Sequence, residues 1–282
     1  MNLINKKYNI NKNERIALTF GDAGENHVGM EMVGKLGKKG SGYTPSDLKL
    51  IKKYIETNNT NKKGFNNNVK TEIINMNYKN EYASVLIIRN YIDEYKQYKI
   101  FEEMDSFEWD SKYWDNRRKK VLNKHARKNV VFVDNKTQKP NFEKKKGTII
   151  NTKELKHLFS LKKNLISKIK NSLKESKTKS IPLIIEGNRY FDLKKCGIGY
   201  HGDSERTRVI CLSIGSDNYP MQWQWFKNSK PIGEPYKVYL NSGDIYIMSE
   251  KAVGQEWKKR SIFTLRHAAG AKKYISLDKY KN

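Results

Sequence analysis

The spacing of hydrophobic and polar positions along the chain changes near residue 180. Before that point apolar residues alternate into short strands, as at 16–20, or recur at three- and four-residue steps, as at 153–179. The second spacing puts apolar side chains on one side of a helix and leaves lysines on the other. Residues 1–150 are therefore predicted to form a mixed α/β region, with an amphipathic helix after it.

The rest of the chain keeps a spacing of two, which is typical of strands with one buried face. The apolar segments are short and are separated by Gly, Asn, Asp or Pro, a rhythm that predicts a β-sandwich or barrel. These segments are IPLIIEGNRY, GIGYHGDSE, RVICLSIG, MQWQWF, YKVYLN, GDIYIMS and RSIFTLRHA. We predict an α+β fold in which residues 151–282 form a β core and residues 1–150 form an extension whose role the sequence leaves open.

The net charge of the chain indicates a class of binding partner. The 282 residues include 56 Lys and Arg against 30 Asp and Glu, which gives a net charge of +26. Such an excess favours nucleic acid, DNA or RNA, as the partner, although a coding bias toward Lys and Asn accounts for part of it. The polar N-terminus and the lack of an apolar run of ~20 residues predict a soluble, intracellular protein that does not enter a membrane. Two cysteines exclude a secreted disulfide framework, and the oligomeric state stays open.

The segment GIGYHGDSE carries the first candidate chemistry. Residues i and i+2 of a strand face the same way, so His201 and Asp203 are predicted to project together. Two histidines and one carboxylate form the facial triad that binds Fe(II) and leaves positions open for co-substrate and O2. The alternative is a histidine at a strand end that is hydrogen-bonded to a nearby carboxylate.

The longer segment EGNRYFDLKKCGIGYHGDSE resembles the core signature of AlkB-like 2-oxoglutarate- and Fe(II)-dependent dioxygenases. Asn188 and Tyr190 match its Asn-x-Tyr pair, and His201, Asp203 and Glu205 match its His-x-Asp-x-Glu. Downstream, SGDIYIMSEK is similar to the family's Gly-Asp strand. RSIFTLR is similar to its closing Arg-x5-Arg strand, filled here by Arg260 and Arg266. The resemblance covers about residues 160–270.

This resemblance implies a double-stranded β-helix (jelly-roll) core and two cofactors, Fe(II) and 2-oxoglutarate. His201 and Asp203 would bind the iron, and Asn188 and Tyr190 would hydrogen-bond 2-oxoglutarate. An arginine would hold the distal carboxylate, and Arg260 and Arg266 occupy the family's arginine positions. The implied activity is the oxidation of a substrate C–H bond, with 2-oxoglutarate converted to succinate and CO2.

The third iron ligand departs from the family pattern. The interval where the family has its distal histidine, IYIMSEKAVGQEWKK, contains none, and the next histidine is His267. Either His267 is the ligand, or Arg260 and Arg266 keep their family roles and the ligand is missing. Strand alternation puts Arg266 and His267 on opposite faces unless a bulge intervenes. We favour His267, in which case Arg208 or Lys272 could bind the carboxylate instead.

Substrate contacts are the least specific predictions. Glu205 lies on the same face as Asp203 and could contact a base amino group, or form an ion pair with Arg206 or Arg208. His125 and Arg127, in NKHARKN, could contact a phosphate or a base, or belong to a solvated basic face. GDAGENH is either a binding loop or a turn satisfied by its own side chains. Trp223 and Trp225 could stack on a base, but we favour core packing for both.

Three functions are compatible with these patterns. The first is a dioxygenase that demethylates or hydroxylates a nucleic-acid base, with the basic run RRKK at 117–120 neutralising phosphates. The second is a protein or small-molecule hydroxylase on the same scaffold. The third is a non-catalytic nucleic-acid-binding module on a decayed oxygenase core, for which the missing histidine is the main support.

Overall fold

The computed structural model describes residues 8–58, 63–67, 69–173 and 183–280. Within these residues the protein is α+β and consists mostly of strands. The strands are β1 (Arg15–Gly21), β2 (Ala23–Glu25), β3 (Met32–Gly34), β4 (Lys70–Asn75), β5 (Ser84–Arg89), β6 (Lys112–Asp115), β7 (Lys120–Asn123), β8 (Lys128–Val133), β9 (Ile149–Asn151), β10 (Ile184–Tyr190), β11 (Gly197–His201), β12 (Val209–Gly215), β13 (Tyr219–Lys227), β14 (Lys230–Leu240), β15 (Ile245–Met248) and β16 (Thr264–Gly270). The helices are α1 (Pro45–Thr57), α2 (Glu94–Asp105), α3 (Lys156–Ser172), α4 (Glu250–Val253) and α5 (Lys272–Ile275).

Two sheets organise the molecule. The large sheet has eight strands in the order β4-β5-β15-β12-β1-β10-β8-β9, and the small sheet has four in the order β11-β16-β13-β14. Neighbours in the large sheet are antiparallel except for β8 and β9, which run parallel. Two hairpins, β2–β3 and β6–β7, stand outside both sheets.

The large sheet lies between a helical layer and the small sheet. One core cluster joins Ile16, Leu18 and Phe20 of β1 to apolar residues of α1, α2 and α3. A second cluster joins the other side of the large sheet, including Ala17, to residues of β13 and β16 in the small sheet. β1 is buried along its whole length because it is covered on both faces, as expected for a central strand of a three-layer structure.

Several predicted elements are confirmed. A strand forms at 15–21 where 16–20 was predicted. The structure adds α1, which begins after Thr44; the Thr44 side chain accepts a hydrogen bond from the Asp47 amide in a capping box. The helix predicted at 153–179 is α3, which ends at Ser172; residues 174–179 lie outside the described residues. Trp223 and Trp225 are both buried in the core between the sheets, in agreement with the interpretation we favoured.

The boundary at residue 150 does not divide the sheet. β1, β4, β5, β8 and β9 come from residues 1–150 or end one residue beyond, and they pair in one sheet with β10, β12 and β15. The sequence analysis predicted two regions because the spacing of apolar residues differs between the two halves of the chain. In the structure, hydrogen bonds between strands join both halves in one sheet. The N-terminal region is therefore part of the core. No helix in the described part of the chain combines the length and the apolar character needed to cross a bilayer.

Candidate metal centre

Two neighbouring strands of the small sheet bring a carboxylate and two imidazoles together. His201 ends β11 and lies directly opposite His267 in β16. The Nε2 atoms of His201 and His267 lie 3.5 Å and 3.8 Å from Oδ1 of Asp203, and the two ring centroids are 4.4 Å apart. One ligand atom from each residue lies within 4.8 Å of the others, a spacing compatible with a shared metal ion.

The turn after β11 aims Asp203 at the two rings. The Asp203 amide donates to the Val253 carbonyl at 3.0 Å. At Gly202 a Cβ atom would lie 2.1 Å from the Gly254 carbonyl oxygen, so the backbones meet too closely for any side chain. The small residue between His201 and Asp203 is thus required by the approach of the chain that follows α4.

Hydrogen bonding fixes the orientation of the His201 ring. Its Nδ1 lies 2.8 Å from the Gly199 carbonyl oxygen and 3.0 Å from that of His267. Carbonyl oxygens only accept hydrogen bonds, so Nδ1 must carry the hydrogen. Nε2 is then left with a free lone pair directed at Asp203, as in a metal-ligating histidine whose other nitrogen is held by the backbone.

Burial sets the protonation states of the cluster. Loss of solvent lowers the pKa of His201, and it lowers the pKa of His267 to about 3. Burial alone would raise the pKa of Asp203, but the Arg206 guanidinium and the two imidazoles outweigh it, so that the pKa is lowered. At neutral pH the cluster therefore offers two neutral imidazoles and a carboxylate, a donor set that fits Fe(II) and related divalent metals.

Arg206 supports the carboxylate from behind. Its guanidinium forms an ion pair with Glu186 of β10 and lies 3.4 Å from Oδ2 of Asp203. Its Nε also donates to the Ala23 carbonyl at 2.6 Å. Because Oδ2 faces this cation, Oδ1 is the oxygen that remains directed toward the imidazoles.

The cluster opens into a cavity of about 650 Å³ between the two sheets. Asn188 and Tyr190, which are two residues apart on β10, both line it. Oδ1 of Asn188 accepts from Nε of Arg127 at 2.7 Å and from the side-chain Nδ2 of Asn129. Nδ2 of Asn188 donates to Glu186 at 3.0 Å.

Arg15, which is not among the site residues predicted from the sequence, also lines this cavity. It is 2% exposed; its Nε donates to Oγ of Ser213 at 2.9 Å, and its Cζ lies 4.2 Å from the ring centroid of Tyr219. One terminal nitrogen, Nη2, has no hydrogen-bond partner among the residues that the structure describes. No carboxylate of the described residues forms an ion pair with it, and a buried cation without a counter-charge is costly. The side chain therefore suits an anionic ligand.

Arg260 and Arg266 do not reach the cavity. Arg260 is exposed and precedes β16, which begins only at Thr264. Arg266 is buried, but it projects from the opposite face of β16 to His267 and lies over the ring of Phe226, with Cζ 4.3 Å from the centroid. The regular alternation of β16 keeps Arg266 and His267 apart, so these two arginines are not brought beside the predicted metal ligands.

Arg208 and Lys272, the alternative carboxylate ligands considered from the sequence, do not line the cavity either. Arg208 forms an ion pair with Asp22 inside the core, and Lys272 is exposed on α5. Of the proposed substrate residues, Arg127 lines the cavity, whereas His125 is exposed outside it. The cavity thus receives only one residue of the predicted pair.

Glu205 lines the cavity next to the cluster. Burial raises its pKa to about 7 against the opposing effect of Arg206, whose guanidinium lies 3.6 Å away. The structure therefore places Glu205 beside Arg206, one of the two ion-pair partners considered from the sequence, while its contact with a base stays a prediction.

Comparison with known proteins adds a family. The fold and site define an α+β protein with a His-Asp-His cluster in an inter-sheet cavity, and no family model matches the chain. The chain is 40% identical over 263 residues to the uncharacterized protein R156 of Acanthamoeba polyphaga mimivirus, an alignment that spans 93% of this chain and 98% of the relative. The protein belongs to the same family as R156.

Proposed function

We propose that the protein is an Fe(II)- and 2-oxoglutarate-dependent dioxygenase that oxidises, by demethylation or hydroxylation, a base in nucleic acid. One observation carries the proposal. A donor set suited to Fe(II) and a buried arginine without a counter-charge line the same cavity. A metal site alone is compatible with many activities. A metal site beside a cation that has no paired carboxylate is suited to an acidic co-substrate.

His201, Asp203 and His267 would hold the iron. Their neutral imidazoles and ionised carboxylate match the 2-His-1-carboxylate set of non-haem iron oxygenases. The position of His267 opposite His201 supports an intact triad over a decayed oxygenase core, whose main support was the absence of a histidine from the expected interval.

Arg15 would hold the distal carboxylate of 2-oxoglutarate. Its unpartnered Nη2 can donate to an oxyanion, and the guanidinium fork suits a carboxylate. Ser213 and Tyr219 fix the guanidinium from two sides. Tyr190, whose ring centroid lies 5.9 Å from Cζ of Arg15, joins this end of the cavity to Asn188 on the same strand.

The order of strands supports a double-stranded β-helix. From β10 to β16 the chain runs through the large and small sheets in the sequence large, small, large, small, small, large, small. An eighth strand that continued this alternation would return to the large sheet. β1 lies there, between β10 and β12, and it comes from the N-terminal part of the chain. The arginine expected on a closing C-terminal strand would then be Arg15 on β1.

The chain's own groups would bind and orient the reactants. Bound iron and 2-oxoglutarate, with O2, would supply the oxidising power that breaks a substrate C–H bond. Asn188 and Arg127 would fix polar groups at the metal-proximal end, and the buried walls of the cavity would keep bulk water out. Glu205, which faces the cavity beside Asp203, could accept a hydrogen bond from a base amino group.

Nucleic acid is favoured as substrate by charge. The chain carries a net charge of +26, and the run Arg117–Lys120 is exposed on the turn between β6 and β7. Exposed cations of this density attract polyanions and make binding strongly dependent on salt.

The test is the conversion of 2-oxoglutarate to succinate by the full-length protein loaded anaerobically with Fe(II) and then exposed to O2. Conversion should depend on iron and be abolished in His201→Ala with the circular dichroism spectrum unchanged. His157→Ala, which alters a histidine on α3 outside the cavity, should retain it. Folded, iron-loaded wild-type protein that produces no succinate would exclude the oxygenase.

A further inference from the structure

The mouth of the cavity is edged by apolar side chains that remain exposed. Val28, Met32 and Leu36, on and after the β2–β3 hairpin, line the cavity yet are 76%, 39% and 63% exposed. Val28 is the most exposed large apolar side chain among the described residues. An apolar edge of this kind marks an interaction site when polar groups surround it.

The tip of this hairpin is held rigidly beneath Val28. The ring of His27 stacks on Tyr113 of β6 with centroids 3.7 Å apart. The Gly29 amide donates to Glu25, and Met30, two residues after Val28, is buried. The turn therefore presents Val28 outward while its neighbours are tied down.

Two basic turns hold the tip from outside. Asn116, in the β6–β7 turn, donates to the Gly29 carbonyl at 3.1 Å, and the Lys145 carbonyl accepts from the Glu31 amide at 2.8 Å. Each turn carries exposed cations, none of which forms an ion pair within the described part of the chain. These cations are Arg117, Arg118, Lys119 and Lys120 in the first turn and Lys144, Lys145 and Lys146 in the second.

An apolar side chain on a rigid turn between two sets of unpaired cations fits a base stack flanked by phosphates. We propose that the protein binds double-stranded nucleic acid, that the two basic turns contact its phosphates, and that Val28 inserts where a nucleotide has left the stack to enter the cavity. This inference rests on the proposed function. Apolar wedges are used in this way by proteins that unstack base steps.

An anionic membrane is the competing partner for a basic surface with apolar side chains. Membrane binding requires a broad apolar face that enters the acyl region. Here Met30 is buried and the tip is bonded to both basic turns. Val28 is the one exposed residue of the tip, 26–31, whereas Met32 and Leu36 follow it in β3 and beyond. One inserted side chain is what a gap in a base stack accepts, so the duplex is favoured.

Base extrusion is tested with DNA and RNA duplexes that each carry one 2-aminopurine, whose fluorescence rises when it leaves the stack. Wild-type protein should raise the fluorescence several-fold with at least one of them. Val28→Ser should lose most of this rise while its affinity, measured by fluorescence anisotropy, changes little. Leu50→Ser is the matched control, because Leu50 is also exposed but lies on α1 away from the cavity.

Phosphate contact is tested by a salt titration of duplex binding. Arg117→Glu with Arg118→Glu should lower affinity roughly tenfold or more and reduce the slope of log affinity against log salt by about 2. Lys163→Glu with Lys170→Glu changes the net charge by the same amount on α3 and should leave the slope near that of the wild type.

The inference is overturned if Val28→Ser retains the full fluorescence rise, or if both charge reversals reduce the slope equally. It is also overturned if the wild type prefers single strands or phosphatidylserine vesicles to duplexes. Formation of succinate by wild-type protein in the same preparations would leave the oxygenase intact in those cases. Conversely, the expected duplex results without succinate would remove the oxygenase and keep the duplex site.

Discussion

Arg15 and Arg266 are buried arginines in the two facing sheets, and they have similar surroundings at first view. They are 2% and 7% exposed, and each guanidinium lies over an aromatic ring, with Cζ 4.2 Å from the centroid of Tyr219 and 4.3 Å from that of Phe226. Neither forms an ion pair with a carboxylate in the described residues. The difference is the side of the sheet: Arg15 faces the cavity that holds the His-Asp-His cluster, whereas Arg266 faces away from it.

This comparison shows that burial of an arginine does not by itself indicate a functional role. An aromatic ring can partly stabilise a buried cation, so burial and the absence of an ion pair identify a ligand site only when the cation also faces a cavity. What distinguishes Arg15 is that an unpartnered nitrogen lines an open volume next to groups that can bind a metal.

The largest expected effect is on metal affinity, when the adjacent residues His267 and Arg266 of β16 are substituted in separate variants. His267→Ala should lower the affinity for Fe(II) or Mn(II) by more than about 100-fold, since a ligand contributes more than the outer groups that orient it. Arg266→Met, one residue away on the opposite face, should leave metal affinity within a few-fold of wild type. Equilibrium dialysis followed by metal analysis measures both, and equal losses in the two variants would contradict the assignment of faces.

The next largest effect is that of Arg15→Met on the KM for 2-oxoglutarate. A lost charge-assisted hydrogen bond of about 1.5–3 kcal/mol should raise the KM for 2-oxoglutarate roughly 10- to 150-fold. Arg260→Met is the control, because Arg260 is the arginine that the sequence resemblance put forward, but it is exposed outside the cavity. Steady-state succinate formation at varied 2-oxoglutarate decides between them. A raised KM in Arg260→Met and a normal one in Arg15→Met would restore the arginine predicted from the sequence.

A smaller effect concerns the pH dependence of stability in the metal-free protein. Burial lowers the pKa of His267 from 6.5 to about 3 in the folded state, so the unfolded state binds the proton more tightly. Folding stability is therefore lost progressively as pH falls through the window from about 6.5 to about 3. Relative to wild type, His267→Gln should gain about 2 kcal/mol between pH 7 and pH 5. Urea unfolding at both pH values tests this, and a pH-independent difference would mean that His267 titrates normally.

The smallest expected effect is the change in the free energy of unfolding when Arg266 is substituted. Arg266→Met removes a cation–π contact with Phe226 but keeps most of the apolar stem, so we expect the free energy of unfolding to fall by about 1 kcal/mol. Thermal denaturation measures the change. A loss of several kcal/mol would mean that Arg266 makes contacts beyond the ring.

Local patterns in the sequence predicted part of the site. Asn188 and Tyr190 follow from the family resemblance, and both line the cavity. Alternation predicted that His201 and Asp203 would project together. The structure brings them together, but β11 ends at His201, so the turn after the strand, and not alternation, positions Asp203. Alternation also predicted that Arg266 and His267 would point apart, and the regular β16 confirms this without any bulge between them.

Arg15 and the joined sheet could not be predicted in the same way. The pairing of β1 with β10 and β12 links residues far apart in the chain, and no local spacing records it. A polar stretch ahead of an apolar strand is equally typical of a free terminus. The one local signal was a charged residue at the start of a strand whose other residues are suited to burial, which becomes informative only once the strand is known to be central.

The position of β1 has a consequence for how the protein is made and handled. β1 is a middle strand of the finished sheet, yet it is synthesised long before β10 and β12, so it stays unpaired until both have left the ribosome. Contacts between such distant segments slow folding and prolong the exposure of unpaired edges. Trimming the polar N-terminus past Glu14 to improve expression would remove the centre of the sheet, so affinity tags and truncations should be confined to residues ahead of it.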